Sequence, residues 1–247
     1  MISRIRNLLA FLTVIPVGMD ANYLRDSADL MYLFPLVGGF IGLLAGLLAL
    51  VLERLFPASL VGALSLGFIL LVTGLHHTDG LLDLGDGLMR TGSPEKKIEA
   101  MHDVRKGTGA LVLGIMTILI TVAAIGLVRP QRLFLSLVVS ETLAKFSMTL
   151  EASVGRSAHA GMNSLFIDAM HGRWRGLRLG LAFAVSAGVS FLLPNLSGLV
   201  SLAAVVLTSF VMVSISNRHF KGLTGDVFGA TNDLARMVSL LAVVATA

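Results

Sequence analysis

Long apolar runs recur along this chain, separated by stretches of two kinds. Residues 31–52, 58–77, 108–128, 131–150, 178–193 and 197–216 are almost wholly apolar. A helix needs about 20 such residues to cross the hydrocarbon layer, so these runs predict six transmembrane spans. Some connections between them are a few residues long, such as the turn at Pro194-Asn195. Others are long and polar: 88–106, 151–177 and 217–236. Residues 3–17 carry Arg4 and Arg6 ahead of an apolar stretch broken by Pro16, which predicts an interfacial or re-entrant helix. The final apolar piece, 237–247, would cover about 16 Å as a helix and is too short to cross alone. The second run leads directly into polar residues, so its helix is expected to continue past the lipid. The pattern predicts an all-α polytopic bundle: about six full spans, an N-terminal interfacial helix and a short C-terminal apolar helix. It forms one integral-membrane domain over 1–247, with no internal repeat.

Composition supports this reading. Charged residues make up 14% of the chain and hydrophobic ones 55%, with mean hydropathy +0.85. A soluble domain carries about 25% charged residues. No cleaved signal peptide is evident, because Met1 to Val17 lacks a small-residue cleavage site. The absence of cysteine excludes disulfides and thiol chemistry. With the N-terminus inside, the cytoplasmic segments hold Arg4, Arg6, Arg25, Arg90, Lys96, Lys97, Arg105, Lys106, Arg156, Arg173, Arg175, Arg178, Arg218, Lys221 and Arg236. Only Arg54, Arg129 and Arg132 fall outside. This positive-inside bias predicts that all three long polar loops are cytoplasmic. The net charge of +4 therefore reads as a topology signal, with no pattern suggesting a nucleic-acid partner.

Chemistry concentrates in His77-Thr78-Asp79-Gly80-Leu81-Leu82-Asp83-Leu84-Gly85-Asp86-Gly87. Asp79, Asp83 and Asp86 recur at i, i+4 and i+7, within roughly 60° of one another on a helix. Three carboxylates on one face repel unless a cation lies between them, and a hard divalent ion such as Mg²⁺ would supply the charge. The plainer reading, a solvated helix end, suits one aspartate at a membrane boundary better than three. The glycines would let a phosphate-bearing ligand approach the backbone. Phosphoryl transfer fits such a site.

Two further segments pair acids with glycines. Asp103-Val104-Arg105-Lys106-Gly107-Thr108-Gly109 has a turn that can open a helix, whose N-terminus could take phosphate; topology charge plus a helix cap is an equal reading. Lys221-Gly222-Leu223-Thr224-Gly225-Asp226-Val227-Phe228-Gly229-Ala230 reads either as part of the site or as a connector. Glu141 and Lys145, four apart inside a span, predict a helical ion pair. The glycines at 38, 39, 42 and 46 suit close helix packing.

Together these segments resemble the cobalamin synthase family (adenosylcobinamide-GDP ribazoletransferase). The family's His-Leu-Asp-Gly-Leu-Ala-Asp-x-x-Asp-Gly stands here at His77 to Gly87, and its Met-x-Asp-Ser-Arg-x-Gly-Thr at Met101 to Thr108. Thr-Gly-Asp-x-x-Gly-Ala stands at Thr224 to Ala230, with Phe-Pro-Leu-Val-Gly at Phe34 to Gly38 and Phe-Leu-Thr-x-x-Pro-Val at Phe11 to Val17. Thr78, Leu82 and Val104 depart from the pattern, as does Ala144-Lys145 where Ser-Arg is usual.

The resemblance implies transfer of the adenosylcobinamide-phosphate group from adenosylcobinamide-GDP to the 5′-oxygen of α-ribazole or its 5′-phosphate. GMP is released and Mg²⁺ is the expected cofactor; the lysine and arginine distribution predicts that the site lies on the cytoplasmic side of the cell membrane. Asp79, Asp83 and Asp86 are then expected to hold metal, with Asp103 and Asp226 completing the acidic site. Arg90, Arg105 and Lys106 would neutralise the diphosphate. His77, Gly107, Thr108, Thr224 and Gly225 would bind substrate. Association into a homo-oligomer or with other corrinoid-pathway enzymes is left open. Two other readings compete. A phospholipid-making CDP-alcohol phosphotransferase also uses boundary aspartates, but its Ala-Arg pair and second aspartate pair are missing. An ion-coupled transporter would place its acids near the midplane.

Overall fold

The polar residues that interrupt the apolar pattern are buried where the helices meet. In the computed structural model, which describes residues 1–246, every regular element is a helix. The chain runs α1 (Ile2–Leu12), α2 (Tyr23–Asp29), a short 3₁₀ turn, α3 (Phe34–Leu52), α4 (Ala58–Val72), α5 (His76–Met89) and α6 (Pro94–Met101). It continues through α7 (Thr108–Leu127), α8 (Pro130–Val154), α9 (Met162–His171), α10 (Arg175–Ser190), α11 (Ser197–Phe220) and α12 (Gly225–Ala245).

Helix α8 is the axis of the bundle. It carries Glu141, Lys145, Glu151 and many hydroxyls, yet Ser140 to Ser153 is entirely buried. Its hydroxyls return to its own carbonyls: Thr142 donates to Val138 O, Ser147 to Ala144 O and Ser153 to Thr149 O, at 2.7–2.8 Å. Such bonding satisfies polar groups without solvent. Helix α3 approaches α8 through its glycine stripe. A Cβ at Gly38 would lie 2.2 Å from Glu141 O, and one at Gly42 would lie 2.5 Å from Leu137 O. The expected close packing of this stripe is therefore present, between these two spans.

Five helices are long and apolar enough to cross a membrane: Met31–Leu52 (with the 3₁₀ turn), Thr108–Leu127, Pro130–Val154, Ser197–Phe220 and Gly225–Ala245. Two expected spans differ. Helix α10 has 16 residues, about 24 Å, against a hydrocarbon core of about 30 Å. The second span does not run on into the acidic motif. It stops at Val72, and α5 leaves at 96°. Gly74 (φ 67°) and Leu75 (φ 62°) are left-handed. Their N–H groups donate to Leu71 O and Leu70 O, at 3.1 and 3.0 Å, closing the helix end through a glycine C-cap.

The C-terminus differs too. The polar stretch 225–236, expected within a loop, is the first half of α12. The apolar piece read as a separate short helix is its second half; its last residue, 247, lies outside the described residues. The expected Glu141–Lys145 pair is not formed. Glu141 instead pairs with Arg236 of α12, and Lys145 donates to Asn232 Oδ1 at 2.6 Å.

The long connections gather at one end of the bundle. Lys97 of α6 meets His219 of α11, Lys221 meets Glu95, and Asn163 of α9 donates to Leu223 O. The N-terminal segment is tied together by Arg4, whose guanidinium donates to Asp26 and Asp29, and its α2 packs against α9.

Candidate active site

At this end α5 lies across the first turns of α12 and α7, and glycine makes both crossings possible. A Cβ at Gly80 would sit 2.7 Å from Asp226 O, and one at Gly229 would sit 3.1 Å from the His77 backbone. A Cβ at Gly85 would sit 2.5 Å from Gly109 O. These glycines therefore serve helix-on-helix approach; the ligand approach expected for Gly80 and Gly85 is taken by protein backbone.

The crossings sort the three motif aspartates into two roles. Asp79 and Asp83 face Lys106, whose ammonium lies 3.1 Å from Asp79 Oδ1 and also bonds Asp83 Oδ1. Asp79 is open, with 66% of its side chain exposed; Asp83 is closed in, at 11%. Burial by itself would lower the Lys106 pKa, but bonds to Asp83 and Asp79 outweigh it and hold the ammonium above its ordinary value. Asp86 turns toward α7 instead. Its carboxylate accepts from Gly107 N at 2.6 Å and Ala110 N at 2.9 Å, satisfying donors that a helix N-terminus leaves open. The N-terminus expected to take a phosphate already holds an internal anion. Removing this cap in Asp86→Ala is expected to cost about 1 kcal/mol of stability, measured as a lower denaturation midpoint in detergent.

Asp226, in the first turn of α12, stands beside this pair. His102 Nε2 lies 4.0 Å from its Oδ2, and Thr224 Oγ1 both donates to Asp226 Oδ2 at 3.4 Å and accepts from Val227 N at 3.3 Å. Thr224 is thus the α12 N-cap, followed by Gly225. Asp103 turns back onto its own loop. Its Oδ1 accepts from Arg105 N at 2.9 Å, and that bond holds its carboxyl below the ordinary carboxylate range. It lines a neighbouring cavity of about 710 Å³ with Asp86, Arg90, Lys96, Arg105 and Thr108. Gly107 also lines it. His77 is buried under α12, its Nδ1 without a partner.

Three polar residues at this end were not singled out from sequence: Lys96 and Glu99, in the cavity wall, and His102, against Asp226. Lys96 counted only as topology charge, and His102 lay inside a matched pattern without a role.

As they stand, no three His, Asp or Glu side chains among the described residues form a ready metal cage. The donor chemistry nonetheless fits a hard cation. Asp79 and Asp83 already hold one positive group between them, and Asp226 adds a further carboxylate beside them. Asp86 does not belong to that set while it caps α7.

The family model described as cobalamin-5-phosphate synthase matches residues 4–244. Among curated proteins, a Methanocella arvoryzae protein described as adenosylcobinamide-GDP ribazoletransferase is 34% identical, covering 97% of this chain and 94% of its own. Proteins of the same description from Methanococcoides burtonii and Escherichia coli K12 are 32% and 30% identical. They cover 96% and 95% of this chain, and 90% and 96% of their own length. No solved structure matches.

Proposed function

This chain belongs to the cobalamin-5-phosphate synthase family, and we propose that it transfers the adenosylcobinamide-phosphate group from adenosylcobinamide-GDP to the 5′-oxygen of α-ribazole or its 5′-phosphate. The observation that carries this reading is the match over nearly the whole chain, joined to relatives of one description at 30–34% identity. In the reaction the 5′-oxygen forms a bond to the phosphorus attached to cobinamide. The bond from that phosphorus to the GMP oxygen breaks, and the 5′-hydroxyl proton passes to a base. The products are adenosylcobalamin, or its phosphate, and GMP.

The residues divide accordingly. Arg90, Arg105 and Lys96 line a cavity of nucleotide size and would neutralise the diphosphate and the departing GMP. Lys106, at the border between this cavity and the acids, can serve either. Asp79 and Asp226 have the exposure to receive the hydroxyl proton. Asp79, Asp83 and Asp226 would hold Mg²⁺, which when bound supplies charge neutralisation at the phosphate oxygens. The lysine and arginine distribution supports placing this end on the cytoplasmic side of the cell membrane.

The test is incubation of the protein in nanodiscs with adenosylcobinamide-GDP, α-ribazole and Mg²⁺. The expected result is a corrinoid carrying the lower base, with one GMP per product. Folded protein that makes neither would overturn the assignment.

A further inference from the structure

Helix α5 carries the acids and lies close against the bundle. It crosses α12 and α7 closely at Gly80, Gly229, Gly85 and Gly109, with Leu81 and Leu84 buried in the core beneath it. Glycine crossings allow close approach but bring no directional contact of their own, so the fine rotation of the helix falls to its hydrogen bonds. Among the described residues, side-chain hydrogen bonds tie α5 to the spanning helices at two places. Near its C-terminal end Asp86 caps α7, accepting from Ala110 N at 2.9 Å. At the end that carries Asp79, Thr78 Oγ1 donates to Asp233 Oδ2 at 2.8 Å.

Asp233 is itself fixed from several sides. Arg236 Nη1 donates to its Oδ1 at 2.6 Å, and Asn232 Nδ2 donates to the same oxygen at 3.0 Å. Arg236 also grips Glu141 of α8 through Nε and Nη2, and Lys145 of α8 holds Asn232. Glu141, Lys145, Asn232, Asp233 and Arg236 are all at most 4% exposed. Two acids and two bases balance in charge. Burying such a group is a poor route to stability, since well-packed apolar residues often do as well. What it provides here is a fixed acceptor, held by α8 and α12, for Thr78, the residue before Asp79.

We propose that Thr78, Asp233 and Arg236 are positioning residues that set the rotation of α5, and with it the placement of Asp79 and Asp83. The lever is large. Carboxylates about 5–6 Å from a helix axis move about 2 Å for a 20° rotation, and misplacement by 1 Å can cost about 100-fold in rate.

The test compares Thr78→Val, which keeps the shape and removes the donor, with Thr78→Ser, which restores it. Thr78→Ala serves if valine fails to fold. The chain has no cysteine, so nitroxide labels can be placed at Met89→Cys on α5 and Leu196→Cys at the far end of the bundle, both exposed. The expected result is one narrow distance distribution with threonine, a shifted or broadened one with valine, and recovery with serine. Only the kinetic arm rests on the proposed group transfer: kcat should fall at least 10-fold in Thr78→Val with KM within about 2-fold, and return in Thr78→Ser. An unchanged label distribution in Thr78→Val, or no recovery in Thr78→Ser, overturns the positioning role. The expected distributions in a protein without transferase activity would uphold the positioning and overturn the proposed reaction instead.

Discussion

Asp83→Asn is expected to lower Mg²⁺-dependent GMP release by about 100- to 1,000-fold, the scale of losing one well-placed electrostatic group, while the protein stays folded. Asp83 is the more enclosed of the two acids that face Lys106, so its charge acts where water screens it least. Asparagine keeps the volume and the oxygen but removes the charge. Lys106 remains paired with Asp79 and, at 29% side-chain exposure, can hydrate its free side. The denaturation midpoint should therefore move little. Asp86→Ala should show the reverse balance, a clear loss of midpoint through the lost α7 cap and a smaller loss of rate per folded molecule. The pair separates the two roles within one motif. Near-normal turnover in Asp83→Asn would remove Asp83 from the site.

That division was only half legible in the sequence. The spacing of Asp79, Asp83 and Asp86 correctly puts them on one helical face, but a spacing carries no information about what crosses that face. Asp86 looks like its neighbours until α7 is laid against Gly85. The break before the motif had a local signature, Thr73-Gly74, hidden because the residues around it are as apolar as a span. The opposite error arose at 225–236. Its polarity suggested a loop, because hydropathy cannot distinguish groups facing water from groups satisfied by another helix. Asp233 and Arg236 find their partners on α5 and α8, 155 and 95 residues away. Glu141 and Lys145 misled for the same reason: four residues apart is a good local distance, but α12 offers Glu141 a guanidinium fork, which holds a carboxylate better than an ammonium does. The fold class, by contrast, followed from run lengths alone, since only lipid tolerates so much apolar surface.

The lysine between the acids leads to the second large effect. A divalent cation reaching Asp79 and Asp83 must displace the Lys106 ammonium, so in the absence of substrate the protein's own side chain competes with the metal. Lys106→Met keeps an unbranched side chain, one atom shorter, and removes the competitor. It is expected to bind Mn²⁺, as a probe for Mg²⁺, at least 10-fold more tightly than the unaltered protein, measured by calorimetry without nucleotide. Turnover should nevertheless fall about 100-fold or more, because the displaced ammonium is then missing from the diphosphate. The pH dependence separates this competition from simple carboxylate titration. The Lys106 pKa is raised from 10.5 by its acidic partners, so the stabilisation it confers is fully present below that value and is lost only as pH rises through the still higher folded value. Between pH 6 and 9 the ammonium is charged throughout, and the 10-fold difference between the two proteins should stay constant. Equal Mn²⁺ affinity in both would show that metal does not enter between Asp79 and Asp83. The carboxylates beside Lys106 would then have the ammonium itself as their working counter-ion.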